Sequence, residues 1–310
     1  MMEKIIQPVD KNTLLKELNK SKFIRNTNNG NNEIYIVSSN DSPNVLRELG
    51  RLREVTFRRA GGGTGKSIDI DEYDIGANAY QQLIVWDPKE KEIVGGYRFI
   101  RCSDAAKDDK GHYHLATSHL FKFSETFVKE YMPHTIELGR SFVQPLYQPI
   151  NDPRKGLYSL DNIWDGLGAI IIDNPDIKYF FGKFTMYLNF NKQARDLILF
   201  FLHKYFPDKE KLVIPIKPRK LFTDKKELSA VFTGKEYKEN FKILVQRVRK
   251  LNENIPSLVN VYMNLSPSML TFGTALNDTF GEVEETGILV TISDIYDVKK
   301  ERHIHTYKKK

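Results

Sequence analysis

Six charged side chains stand where apolar runs meet turns or glycines: Arg53, Asp71, Asp74, Arg98, Glu137 and Arg140. Arginine forks grip carboxylates through paired hydrogen bonds, and carboxylates hold ammonium groups. A set holding both signs suits a zwitterion such as an amino acid. A carboxylate can also take the proton that an ammonium group must lose before its nitrogen attacks an acyl carbon. The chemistry within reach is amide formation at an amino group. A fold-stabilising ion network would use the same residue types, and composition alone does not separate the two.

The elements that must position these groups follow from pattern. Residues 135–143 (TIELGRSFV) form an apolar strand carrying Glu137 and Arg140. Strand side chains alternate, so residues three apart point to opposite faces. A bulge at Gly139 would bring both charges to one face and splay the strand from its neighbour. Backbone donors and acceptors would then be free for an extended ligand. A helix begins at Ser42-Pro43, with a hydroxyl cap and proline at its first position. Its apolar positions Val45, Leu46, Leu49, Leu52, Val55 and Phe57 keep helical period, and Arg53 and Phe57 share a face. Residues 79–86 and 92–101 read as an antiparallel hairpin, with Gly95-Gly96 as a bulge or close approach and Arg98 on the returning strand.

Elsewhere the pattern predicts helices over 12–20, 160–172 (capped by Ser159), 192–205, 236–252 and 256–266. Strands are expected over 33–38, 179–187, 212–216, 268–272 and 285–293, and a mixed helix or loop over 120–131. The expected organisation is an N-terminal arm (1–32), one α/β domain with a mixed sheet and an added C-terminal helical part (33–297), and a disordered basic tail (298–310).

Composition narrows the function classes. With 40% hydrophobic and 28% charged residues the chain matches soluble globular proteins. It has neither a run of about 18 apolar residues nor a signal pattern, so a cytoplasmic protein is expected. The single cysteine, Cys102, excludes an intrachain disulfide and reads as a core residue. A net charge of +7 favours acidic partners. The basic residues are dispersed without a stacking pattern, which speaks against nucleic acid. Residues 60–67 (AGGGTGKS) imitate a phosphate loop but carry alanine at the first glycine and follow a helix, so a flexible substrate-covering loop is expected. His112 and His114 have no completing ligands nearby, so no metal is expected.

The set Arg53-x3-Phe57, Asp71-x2-Asp74, Arg98 and Glu137-x2-Arg140 resembles the signature of acyl-homoserine-lactone synthases. A longer similarity runs to the ornithine or glycine acyl-carrier-protein N-acyltransferases, a group that sometimes carries the label hemolysin. It is carried by RLREVTF, IDEYD, GGYRFIR, ELGRSFV, NIWDGLGAII, YFFGKFTMYL and the segment from LVNVYMNLS to ILVTISD, over residues 33–297. No amphipathic pore segment supports toxin activity.

The resemblance implies a GNAT fold: a mixed, mostly antiparallel sheet flanked by helices, with a bulged, splayed central strand beside a phosphopantetheine thioester. It implies transfer of a long-chain acyl group, plain or 3-hydroxy, from acyl carrier protein to a small amino acid in aminolipid synthesis. Glu137 would act as base or orient the water that does. Arg98 and Arg140 would hold the acceptor or position Glu137. Asp71 and Asp74 would bind the ammonium or order the covering loop, with Arg53 as their tether. Phe57, Gly139, Ser141 and Phe142 would border the substrates, with backbone N–H groups from Gly139 to Phe142 facing the oxyanion. Arg154, Lys155, Lys192 and Arg195 are candidates for docking the carrier protein. No permanently bound cofactor is implied, only the carrier's acyl-phosphopantetheine as donor. Peripheral contact with an anionic membrane is a further expected partner.

Three positions depart from the pattern. Phe142 and Lys183 replace cysteines of the relatives, and Gly61-Gly62-Gly63 replaces an aromatic of the lactone synthases. The last change speaks against a large adenosyl-methionine acceptor. A lactone-type signal synthase and a non-catalytic basic domain on anionic membranes remain the alternatives.

Overall fold

The computed structural model describes residues 2–309. Its main sheet has eight strands, β1 (Phe23–Asn26), β2 (Glu33–Val37), β3 (Gln81–Asp87), β4 (Glu92–Arg101), β6 (Thr135–Val143), β7 (Tyr179–Met186), β10 (Val283–Thr291) and β9 (Leu270–Asn277), side by side in that order. A separate pair, β5 (Phe121–Phe123) and β8 (Val213–Pro215), stands apart. Neighbours in the main sheet run antiparallel except β6 and β7, which are parallel. This is the mixed, mostly antiparallel arrangement expected.

Alternation places the layers. Tyr35, Val37, Ile84, Trp86 and Ile93 turn to one face and pack with α1 (Lys11–Glu17) and α2 (Pro43–Ala60). Ile34, Leu83, Val85, Tyr97 and Phe99 turn to the other and meet α4 (Ser159–Asp173), α5 (Lys192–Tyr205) and α8 (Ser257–Met263). The short α3 (Pro153–Gly156) leads into α4, and α6 (Lys225–Val231) and α7 (Tyr237–Lys250) pack on α5 as the added helical part. No helix among the described residues is long and apolar enough to cross a membrane.

Register creates the opening on which the site depends. Arg98 faces Gly139 and Gly96 faces Phe142, so β6 carries one residue more than β4 between those pairs. Arg140 takes up the extra residue, with a left-handed φ of +49°. The expected bulge therefore exists but is centred one residue beyond Gly139. Such a φ is unfavourable for a residue with a side chain, and the ion pairs described below hold it. Pairing of β6 with β7 stops at Leu138–Gly182, whereas β7 stays paired with β10 through Met186. From Gly139 onward β6 and β7 diverge, and the sheet has a gap.

Gly95 and Gly96 serve as close approaches as well as lying next to a bulge. A Cβ on Gly95 would lie 2.3 Å from the Phe142 carbonyl oxygen, and one on Gly96 would lie 2.2 Å from that of Leu83. The register between β3 and β4 also shifts by one residue beside Gly95, between Val85 and Trp86.

Several expectations need correction. The N-terminal arm is part of the fold, since β1 pairs with β2 and α1 packs on α2. Residues 120–131 split into β5 and a π-helical turn, Phe127–Tyr131. Strand β9 is longer than 268–272 because β10 pairs with it up to Asn277. Ser42 and Ser159 make no side-chain caps; the Ser42 hydroxyl accepts from Lys22, and that of Ser159 donates to the Lys155 carbonyl. The glycine loop after α2 is tied rather than free, because buried Glu54 accepts from the backbone N–H groups of Thr64 and Gly65 at 3.0 and 2.8 Å.

The basic tail is also structured. Residues Asp297–His303 form α9, which lies against α4. His303 Nδ1 meets the buried Asp165 carboxylate at 2.8 Å, and Arg302 pairs with Asp161. The approach requires Gly168, where a Cβ would sit 2.0 Å from the His303 carbonyl oxygen. Gly168→Ala is expected to push α9 off α4. Limited proteolysis should then release the C-terminal segment faster than in the parent protein, and an unchanged cleavage rate would contradict this packing.

Candidate active site

The gap between β6 and β7 opens into a cavity of about 1100 Å³. Residues of both sheet faces line it. Asp71, Arg98, Glu137, Arg140 and Lys183 lie on the α2 side, where Phe142 also packs, and Tyr97, Leu138, Phe184, Leu258 and Tyr262 lie on the α8 side. One end is thus charged and the other mainly apolar. Tyr97 and Tyr262 place two buried hydroxyls 3.2 Å apart within the apolar end.

Glu137 is almost wholly buried, at 1% exposure. Its position on β6 opposite Ile100 of β4 turns it to the charged side. Oε1 accepts from the Thr117 N–H at 3.1 Å, and Oε2 accepts from the Tyr80 hydroxyl. That hydroxyl accepts in turn from the Ala116 N–H at 2.9 Å. Burial pushes the Glu137 pKa above the usual glutamate value, while the two hydrogen bonds and Arg98 pull against it. A carboxylate raised in this way is a better proton acceptor near neutral pH than an ordinary one.

Around it lies an ordered set of ion pairs. Fully buried Arg53 holds Asp74 through two contacts, at 2.7 and 3.2 Å, and donates to the Asp69 carbonyl. Arg98 Nη1 lies 2.6 Å from Asp71 and 3.2 Å from Asp74. Arg140 Nε lies 2.9 Å from Asp69 and Nη2 3.3 Å from Asp71, with its guanidinium 4.4 Å from the Phe280 ring centroid. Burial alone would raise the Asp74 pKa, but Arg53 and Arg98 overcome it and hold the group well below the usual carboxylate range. Asp71 and Asp74 also form a reciprocal cap on the short turn Glu72–Asp74. The two aspartates therefore both order this turn and orient Arg98.

The expected site residues Arg53, Asp71, Asp74, Arg98, Glu137 and Arg140 converge, although Arg53 is sealed behind the others. Phe57 packs edge-on against Phe280, 5.1 Å between centroids, at the cavity wall. Gly139, Ser141 and Phe142 line the cavity at the gap. A Cβ at Gly139 would lie 3.5 Å from Arg98 Nε, an atom that is buried and has no hydrogen-bond partner.

The docking candidates divide. Arg154 and Lys155 are exposed beside the cavity residues Gly156 and Leu157, and exposed Lys192 lies over the Phe222 ring at 5.0 Å. Arg195 is a correction: it is 3% exposed and pairs with Asp196 at 2.6 Å and Glu284 at 2.7 Å. A cation spent on two buried carboxylates offers no docking surface.

Sequence reasoning missed Asp69, Tyr80, Thr117, Lys183, Glu285 and Phe280. One signal was available. Lys183 interrupts the apolar run of β7 and Glu285 the run of β10, and buried strand charges need partners. They pair across the two strands at 2.5 Å. Cys102 is buried, and burial pushes its thiol pKa well up, as befits a core residue.

Comparison with known proteins agrees with this geometry. Residues 52–151 match the acetyltransferase (GNAT) domain family. A glycine N(alpha)-acyltransferase of Phocaeicola vulgatus is 54% identical over 99% of this chain and 94% of its own. One of Bacteroides thetaiotaomicron is 54% identical over 99% of this chain and 91% of its own. Among solved structures, a CoA-dependent acyl-homoserine lactone synthase with MTA aligns at a TM-score of 0.34 and 11% identity, covering 87% of this chain and 88% of that one. That last likeness is too slight to carry a conclusion. At 54% identity over nearly the full length of both relatives, this chain belongs to the GNAT-domain N-acyltransferase family that they represent.

Proposed function

We propose that the chain moves a long-chain acyl group from the phosphopantetheine thioester of acyl carrier protein to the amino group of glycine. The observation that supports this most is the single cavity through the β6–β7 gap. A long apolar donor and a small charged acceptor must meet at one carbon, and this cavity offers an apolar end and a charged end on opposite faces of the sheet. Glycine is favoured because both relatives carry that specificity in their names. A carrier-protein donor is favoured because residues 154–159 lack the Arg/Gln-x-x-Gly-x-Gly/Ala pyrophosphate loop that coenzyme A would use. Exposed Leu146, Ile150 and Leu157 with Arg154 and Lys155 form instead an apolar and cationic rim suited to an acidic protein.

In this reading glycine enters as a zwitterion. Glu137 takes one proton from its ammonium group, and the free amine attacks the thioester carbonyl. Backbone N–H groups beside the Arg140 bulge face the developing oxyanion. Collapse breaks the carbon–sulfur bond and leaves the carbon–nitrogen bond. The second amine proton goes to the departing thiolate, giving an N-acyl amino acid and a free carrier thiol. Asp71, Asp74 and Arg53 keep Arg98 and Arg140 in place through this sequence.

The test is thiol release from acyl carrier protein, with small amino acids offered singly and products weighed. Release that depends on glycine and yields N-acylglycine is expected. Release with another amino acid would change the acceptor, and release of methylthioadenosine from an adenosyl-methionine acceptor would replace the reading with a signal synthase.

A further inference from the structure

We infer that Lys183 receives the carboxylate of the amino acid acceptor and thereby makes the enzyme demand an acceptor with a free carboxylate. The inference rests on the N-acyltransferase reading and assigns that site its acceptor contact.

A zwitterionic acceptor needs a cation whose charge is not already matched by two carboxylates, with a donor to spare, on the same side of the sheet as Glu137 and near it. Parallel pairing puts Phe181 opposite Glu137, so Lys183, two residues on, shares its face at the first widening of the gap. Of the three cations lining the charged end near the gap, two already face two carboxylates each. Arg98 stands between Asp71 and Asp74, and Arg140 between Asp69 and Asp71. Lys183 has a single carboxylate partner among the described residues, Glu285. Its ammonium has three donors and spends one there.

Glu285 does not bar a second carboxylate. Its Oε1 takes Lys183 and the Asn277 amide at 3.3 Å, and its Oε2 takes the Thr185 hydroxyl at 2.8 Å. It holds Lys183 at the cavity wall, as Asp71 holds Arg98. An arriving carboxylate would leave Lys183 between two carboxylates, the state its two neighbours already have. The ammonium of the same acceptor would then point toward Glu137. Loss of the lysine in favour of an uncharged residue should therefore cost recognition of the carboxylate and not of the amine.

The experiment compares glycine with glycinamide, which keeps the amine and lacks the carboxylate, using acyl carrier protein as donor. The readout is the ratio of kcat/KM for the two acceptors in the parent and in Lys183→Met. Differences in amine basicity cancel in this comparison. The parent is expected to prefer glycine, and Lys183→Met is expected to reduce that preference by about tenfold to a hundredfold, the size of a lost charge-assisted hydrogen bond. A preference that survives intact in Lys183→Met overturns the inference. Should Lys183→Met fail to fold because Glu285 is left unpaired, Lys183→Met with Glu285→Gln removes both charges and is read the same way. A parent enzyme that acylates glycinamide as well as glycine also overturns it while leaving the acyltransfer reading intact. A parent enzyme that acylates no amine overturns that reading, and this inference with it.

Discussion

Glu137→Gln is expected to lower kcat by about 10²- to 10⁴-fold, the range of a lost general base, while the protein stays folded. Glutamine keeps the length of the side chain, and its carbonyl oxygen can still accept from the Thr117 N–H. It cannot take a proton from an ammonium group. The pH profile separates this from a structural effect. Glu137 must be ionised to act, and burial raises its pKa, so kcat should climb as pH rises through a value above that of ordinary glutamate. In the variant that rise should vanish. Stability moves the other way. A carboxylate whose folded pKa is raised binds its proton more tightly in the native state, so its contribution weakens as pH rises toward and through the folded value. The variant, uncharged at every pH, is expected to unfold at a temperature no lower than the parent at neutral pH. Full turnover in the variant would remove Glu137 from the mechanism.

The largest loss of stability is expected from Arg53→Met, about 3–5 kcal/mol, because it breaks a buried pair by removing one partner. Asp74, which is wholly buried, would lose both contacts to Arg53, and the Asp69 carbonyl would lose a donor. Arg98 and Arg140 remain, but each is already shared. Denaturant unfolding measures the loss, and a change below about 1 kcal/mol, the scale of an exposed pair, would contradict the structural role given to Arg53. The pH dependence follows from Asp74. Its folded pKa lies below the unfolded one, so the parent holds this stability above the ordinary aspartate range and loses it as pH falls toward the folded value. Arg53→Met should be weakened at neutral pH and should narrow its gap to the parent in acid.

Legibility differed between kinds of feature, and particular residues show why. Alternation in 135–143 was enough to demand a bulge if Glu137 and Arg140 were to work together. It could not say whether Gly139 or Arg140 would adopt the unusual backbone. Glycine tolerates a positive φ most cheaply, which favoured position 139. Ion pairs from Arg140 to Asp69 and Asp71 instead place the left-handed residue one position later. Those partners lie about seventy positions away in the chain, so no local pattern contains them. Arg195 was misread for the same reason. A basic residue near a helix start reads as surface, but Glu284 on β10 reaches it from 89 positions away. The tail was misread because α9 is too short to announce itself, and its helix depends on docking against Gly168 and Asp165.

The sequence by itself determined the strands and helices of the central region, the charged positions around Glu137, and membership of an N-acyltransferase family. These rest on period, turn chemistry and short motifs, all of which act within a few residues. Only the tertiary structure decided that β6 parts from β7 after Leu138, that the resulting cavity joins the two faces of the sheet, and that Lys183 at its wall meets Glu285 behind it. Strand order and register set those meetings. They emerge from the packing of the whole sheet, in which each buried charge takes the partner that lies opposite it in space.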